Sequence, residues 1–259
     1  MRREKTTLLR KLSMYGFDLV TGSHNFFALL EFDVTDLRRH LRALRAEGRG
    51  GSLFAFLLKA VGKCLEEFPE FNAMIDRRKT TYFDEVDVNI PIEIETEGIR
   101  NPKQYIVRDI NRKSLTEVDR EIAASKDAGD DHTGYVFSKG LQRLLGILPA
   151  GLVMFLMRSI LRRHDTVQKL SGTVFVTSVS MFSNVPGYVI PYAGGPKAAS
   201  FAIGSVSKKP VVRGDEVRVR EMINLTAIFN HDLIDGAPAA RFINRLRRYV
   251  ETSFAELTG

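Results

Sequence analysis

Phe229-Asn230-His231-Asp232-Leu233-Ile234-Asp235-Gly236 is the stretch on which the reading of this 259-residue chain turns. A strand-like run (216–229) precedes it. An amphipathic helix (238 to about 257) follows, with Ala239, Phe242, Ile243, Leu246, Val250 and Phe254 spaced along one face. A histidine on a tight turn between strand and helix can be held with one ring nitrogen facing a cleft. That is the first requirement of a general base, because geometry precedes pKa. Taken alone, H-x-x-x-D-G equally fits a plain turn, with Asp235 as helix N-cap and Gly236 as a turn glycine.

Working outward, residues 198–206 and 211–229 read as paired strands that turn at Arg213-Gly214-Asp215. Residues 24–34 are rich in aromatic and aliphatic side chains and predict a strand. A short charged helix follows, capped at Thr35 or Asp36. Ser52 caps a helix through Phe68, which Pro69 ends. Residues 80–83, 86–94 and 104–107 predict strands, and Val86, Val88, Ile90, Ile92 and Ile94 share one face of the second. Ser114-Leu115-Thr116-Glu117 is a capping box opening a helix to about Lys126. Residues 173–179 are β-prone. This order argues for an α/β fold with a mixed sheet. With no internal repeat or low-complexity linker, one domain over 1–259 is expected.

Composition bounds the function. Hydrophobic residues make up 44 % of the chain, including 17 Phe, which fits a globular protein. The single cysteine, Cys64, excludes an intrachain disulfide framework and a Cys-rich zinc site, and it lies on an apolar helix face as core. A cytoplasmic location fits this usage, and no secretory leader is evident. No histidine pair has metal-ligand spacing, so no metal is expected. His24 reads as structural, and His40, His132 and His164 lie in charged segments and read as solvent-facing. The net charge of +7 concentrates at 1–11 and at 138–169, the latter with six cations against Asp165 alone. These charges flank apolar runs and not an aromatic-polar surface, which argues against nucleic acid.

The segments now quoted carry a resemblance. Residues 207–217, the strand after them, Asn230-His231, Asp235-Gly236-Ala237 and Ala239-Ala240-Arg241-Phe242 are similar to the C-terminal part of the 2-oxoacid dehydrogenase acyltransferase catalytic domain, whose fold and histidine motif chloramphenicol acetyltransferase shares. Ser171-Gly172-Thr173 through Thr177-Ser178, Met181-Phe182, Pro196-Lys197-Ala198-Ala199, Ala202-Ile203-Gly204, residues 24–37 and Phe71-Asn72-Ala73 extend it over roughly 5–130 and 170–257. The resemblance implies a two-layer α/β sandwich with a mixed sheet, assembled as a trimer or as a higher assembly of trimers. It also implies a site between neighbouring subunits, entered by coenzyme A from one side and the acyl partner from the other. His231 matches the base, Asp235 matches a residue bracing the turn, and Asn230 and Gly236 stand beside them.

Two departures bear on function. Family members carry a Ser or Thr oxyanion donor before the strand resembling 196–204. Here 185–195 has neither, which leaves Ser183, Tyr188 or a glycine N–H as candidate donors. Asn230 and Asp232 stand where many members have aspartate and arginine. The expected activity is transfer of an acyl group between coenzyme A and a thiol, hydroxyl or amine. The rival readings are a non-catalytic trimeric scaffold, or a complex core subunit served by a lipoyl domain in trans, since no lipoyl domain is present in the sequence. Lys208, Lys209 and Arg213 read as an exposed hairpin, with contact to CoA phosphates as the alternative.

An insert at about 134–169 has little family counterpart. Residues 144–157 carry no charge, are too few to span a bilayer as a helix, and are split by Pro149 into two short helices. The insert reads either as packing surface or as a basic, apolar wall for peripheral membrane contact through 138–169 or for an acyl group.

Overall fold

The computed structural model describes residues 6–49, 51–96, 99–127, 139–178, 187–192 and 194–258. The chain runs α1 (Leu8–Val20), β1 (Asn25–Asp33), α2 (Thr35–Ala46), α3 (Leu53–Glu67), β2 (Ala73–Ile75), β3 (Thr80–Tyr82), β4 (Val88–Thr96), β5 (Ile99–Val107), α4 (Leu115–Asp127), α5 (Lys139–Ile147), α6 (Ala150–Leu161), α7 (His164–Ser171), β6 (Val174–Ser178), β7 (Ala199–Arg213), β8 (Glu216–Asn230) and α8 (Gly236–Glu251). A six-stranded sheet in the order β1-β8-β7-β6-β4-β5 is mixed: β4, β6 and β7 are parallel, and the other neighbours antiparallel. β2 and β3 form a separate two-stranded sheet.

Helices α2, α3, α4 and α8 form the second layer. On β1, Phe26, Ala28, Leu30 and Phe32 turn toward this layer, whereas Phe27 and Leu29 are exposed, as the two-residue period of a strand requires. The main core joins Phe56, Leu57, Val61 and Leu65 of α3 to Val88, Ile90 and Ile92 of β4 and to Phe242 and Leu246 of α8. Cys64 is fully buried within it, and burial raises its thiol pKa. Across α3 and α8, Arg245 forks onto Glu67 at 2.6 and 3.0 Å, and the Tyr249 hydroxyl joins the same carboxylate.

Several caps form as the sequence predicts. Ser52 accepts from the Ala55 N–H at 3.1 Å. Ser114 and Glu117 close their box, with Glu117 Oε2 accepting from the Ser114 N–H at 2.7 Å and Ser114 Oγ from the Glu117 N–H at 3.3 Å. Pro149 divides the insert into α5 and α6. Gly172, at φ 64°, begins the approach to β6; a Cβ there would lie 2.5 Å from the Asp87 carbonyl oxygen, so only glycine fits.

Four expectations change. β7 and β8 run unbroken through residues 207–210 to the turn at Gly214, because both continue pairing beyond the edge of β1. Lys209 and Arg213 on this arm are not free cations, since they pair with Glu31 and Asp33. His164 is not solvent-facing. It is fully buried between α7 and the β2–β3 hairpin, with Nδ1 2.8 Å from Thr81 Oγ1 and Nε2 3.5 Å from Asp76, and burial lowers its pKa. His40 is partly buried with Nε2 at 2.9 Å from Thr258 Oγ1, and His132 lies outside the described residues.

At the far end of β1, Asp33 accepts from Arg213 and Arg220, each at 2.6 Å. Burial opposes its ionisation, but these guanidinium hydrogen bonds outweigh it and hold the carboxyl at about 2. A depressed folded pKa contributes stability above the unfolded value near 3.8, and that contribution disappears as pH falls toward 2. Asp33→Asn should therefore lower unfolding free energy by about 3 kcal/mol at pH 7. In urea titrations its deficit relative to the parent chain should close between pH 4 and 2; a deficit independent of pH would contradict this assignment.

Candidate active site

The end of β8 is clamped before it reaches the histidine. Phe229 packs against Phe71 at a centroid distance of 5.3 Å and against Phe242 of α8 at 6.0 Å. Such pairs add about 0.5–1.5 kcal/mol beyond simple burial. Asn25 of β1 stands opposite Asn230 in the ladder, and one residue further on the His231 N–H donates to the His24 carbonyl at 2.6 Å. The backbone of the histidine is thus tied to β1 on one side and to the aromatic core on the other.

Asn230 organises the turn itself. Its carbonyl accepts from the N–H groups of Leu233 at 3.1 Å and Ile234 at 2.9 Å, and its side-chain Oδ1 accepts from the Asp232 N–H at 3.0 Å. Asparagine suits this position because a short amide can bond backbone two residues on. Its own N–H donates to the Ala198 carbonyl at 2.9 Å, so the residue leading into β7 also fixes the turn. The Asp232 carboxylate lies 2.8 Å from His24 Nδ1, tying the start of β1 to the turn through an exposed pair.

The His231 ring is half exposed and packs against Phe26 at a centroid distance of 4.9 Å. Its Nδ1 is 3.7 Å from Asp235 Oδ1, too long for a hydrogen bond. Asp235 stands at the N-cap of α8 yet makes no side-chain cap hydrogen bond, and it is largely exposed. In this chain the bracing therefore comes from Asn230, with Asp235 facing the imidazole. Gly236 has an ordinary φ, and a Cβ added there would meet nothing within 4 Å. The subunit's own backbone does not demand glycine at that position.

Of the candidate oxyanion donors, Tyr188 lies far along the sheet from the base, whereas the Gly195 N–H, beside the start of β1, is already committed to Ser23 Oγ at 2.9 Å. Ser183 lies outside the described residues. The Tyr188 hydroxyl engages Glu31, and burial together with that charge raises its pKa. Its neighbour Gly187 accepts from Asn224 Nδ2 at 2.7 Å. Glu31 and Asn224 face each other six ladder positions from Asn25 and Asn230. At a rise of about 3.3 Å per residue this is roughly 20 Å along the sheet. Among the described residues, no group of three or more His, Cys, Asp or Glu side chains is placed to hold a metal ion.

The family model for the 2-oxoacid dehydrogenases acyltransferase catalytic domain matches residues 20–133 and 160–258, which include the histidine turn. The chain belongs to that family. One relative is the lipoamide acyltransferase component of the branched-chain alpha-keto acid dehydrogenase complex of Bacillus subtilis, 26 % identical over 87 % of this chain and 46 % of the relative. The chain thus spans about half the length of this curated relative. The acyltransferase fold is also seen in a crystallographic study of Azotobacter vinelandii dihydrolipoamide acetyltransferase, with a TM-score of 0.72 at 20 % identity, covering 98 % of this chain and 93 % of that one. Chloramphenicol acetyltransferase superposes with a TM-score of 0.53 at 16 % identity, over 97 % and 98 % of the two chains. The expected two-layer architecture is therefore the observed one. Residues 134–159 of the insert stay outside the family match, whereas α7 falls inside it.

The histidine motif was visible in sequence; the role of Asn230 was not. Its signal is the Asn-x-Asp spacing, which marks a side-chain turn but says nothing of which residue braces it. Asn230→Ala should cost about 1 kcal/mol of unfolding free energy, whereas Asp232→Ala, which removes only an exposed pair, should cost less. Chemical denaturation of both variants checks the order, and an equal or reversed ranking would contradict the assignment of Asn230 as the brace.

Proposed function

We propose that this chain transfers an acyl group between coenzyme A and a thiol, with hydroxyl or amine acceptors as further possibilities for the same chemistry, and that His231 is the general base. The observation that carries this reading is the His231 turn: an imidazole fixed through its backbone, its ring exposed, with a carboxylate near Nδ1. With Nδ1 protonated, Nε2 is the free acceptor. It takes the S–H proton as the attacking sulfur adds to the thioester carbonyl carbon. The tetrahedral intermediate then collapses, its C–S bond to the outgoing thiol breaks, and the imidazolium returns the proton to that sulfur. A thiol near pKa 8.5 needs such help at neutral pH.

The distance of roughly 20 Å between His231 and Tyr188 along one sheet supports a site completed by a second copy, as in a homotrimer or an assembly of trimers. In that arrangement one subunit brings the base and its neighbour supplies what faces it. Gly236 fits the same reading: its open side leaves room for the pantetheine arm or the neighbouring chain. The Azotobacter study concerned a serine, a histidine and an asparagine four residues after that histidine in catalysis, and Asp235 stands four residues after His231. The name of the Bacillus relative favours lipoamide as the acyl carrier, presented here by a lipoyl domain in trans within a 2-oxoacid dehydrogenase complex.

Two variants test the reading. His231→Ala should reduce thiol release from acyl-CoA at least 10²-fold with the assembly's mass unchanged; equal turnover would refute the base. Gly236→Ala should leave stability unchanged or raise it by up to about 1 kcal/mol, since alanine is the better helix former. It should nevertheless raise KM for acyl-CoA, and an unaltered KM would remove the clearance argument.

A further inference from the structure

Outside the family match lie α1 up to its last residue, α5, and all but the last two residues of α6. These three helices build a small core of their own from Leu12, Leu145 and Val153, with Leu8, Tyr15, Leu148 and Met157 around it. Their outer side is apolar as well. On α6, Leu152 and Phe155 turn away from Val153 while Leu156, one turn on, remains partly exposed, and on α5 Leu144 and Ile147 lie one helical turn apart. Ile147 is 83 % and Phe155 68 % exposed. A water-soluble surface rarely leaves such a group uncovered without a partner.

The charge around it is mostly positive, with Asp18 of α1 and Asp165 of α7 as the nearby acidic residues in sequence. Residues 139–163 hold Lys139, Arg143, Arg158, Arg162 and Arg163 and no acidic residue. Arg158, Arg162 and Arg163 are exposed, as are Arg10 and Lys11 of α1, and none of these five forms an ion pair among the described residues. Two surface clefts lie in the same cap. One, of about 340 Å³, has Leu145, Leu156, Met157 and Ile160 beside Arg163. The other, of about 510 Å³, has Leu8 and Ile147 beside Lys11. Each sets an aliphatic wall next to a cation, which is the pairing an acyl chain and an anionic headgroup require.

We propose that this helical cap docks on an anionic phospholipid surface, with Ile147 and Phe155 entering the headgroup boundary and the arginines meeting phosphate. No helix among the described residues is long and apolar enough to cross a membrane, so the cap lies in the interface. A two-fold contact with a second copy would set the cations against their own image, which disfavours a two-fold dimer here, and a heterologous contact between copies is distinguished by assembly mass. The proposal is independent of acyl transfer, because its readout is binding.

The full chain is sedimented with sucrose-loaded vesicles of phosphatidylcholine, either alone or with roughly one third phosphatidylglycerol. It should pellet with the anionic vesicles at low salt and remain in solution with phosphatidylcholine alone. Replacing Arg158, Arg162 and Arg163 by Gln should weaken binding about fivefold per charge removed. Ile147→Glu combined with Phe155→Glu should lower it at least about tenfold while circular dichroism and the mass of the free assembly stay unchanged. Failure to pellet with anionic vesicles, or undiminished pelleting of the double variant, overturns the proposal. A change in assembly mass on that substitution also overturns it, because the face is then a contact between copies.

Discussion

Antiparallel pairing of β1 with the second half of β8 is the constraint on which the rest of the structure depends. Nine consecutive residue pairs, from Asn25–Asn230 to Asp33–Met222, fix where β8 stops and therefore where the histidine turn begins. A slip of one residue would invert every side chain on the strand and drive Phe229 out of the aromatic core. Because the His231 N–H is tied to the His24 carbonyl just beyond the ladder, the register of the sheet also sets the position of the candidate base. At the opposite end, Arg213 and Arg220 converge on Asp33, so both ends of this ladder are pinned, one by a turn and one by buried charge.

This arrangement divides labour along the strand. The core side of the helix–sheet layer is closed by phenylalanines from β7, β8, α8 and the segment after α3: Phe201, Phe229, Phe242 and Phe71. The turn that leaves this core is polar and exposed, held by Asn230 and by the His24–Asp232 pair. Rigid backbone with an exposed imidazole is what acyl transfer needs from one subunit. Tyr188, engaged with Glu31 far along the sheet, belongs to a different part of the surface. In the proposed reading Tyr188 meets the base of a neighbouring copy, and a rotational assembly is the simple way to bring unlike surfaces of identical chains together.

Much of this was legible in the chain. The aromatic and aliphatic run of β1, period-two alternation in β4, the capping box at Ser114, the break at Pro149 and the apolar stripe of α8 each express one local rule, and the structure obeys them. Where local rules compete with tertiary packing, the sequence was a poor guide. α1 was missed because its apolar residues answer to α5 and α6, more than a hundred positions away. His164 sits among arginines in sequence, yet its helix presses it against the β2–β3 hairpin, where Thr81 and Asp76 receive it. For Asp235, the motif set identity and spacing, whereas its side chain makes no cap hydrogen bond, and the residue at the usual donor position three on is Pro238, which has no N–H.

The central claim is that His231 lies in a coenzyme A site that no single copy completes. The most direct measurement is the structure of the assembled protein with coenzyme A bound. The account predicts the coenzyme sulfur within hydrogen-bonding reach of His231 Nε2, with the pantetheine arm passing Gly236 between two copies of the chain. Coenzyme A bound away from His231, or enclosed by one chain alone, would contradict it.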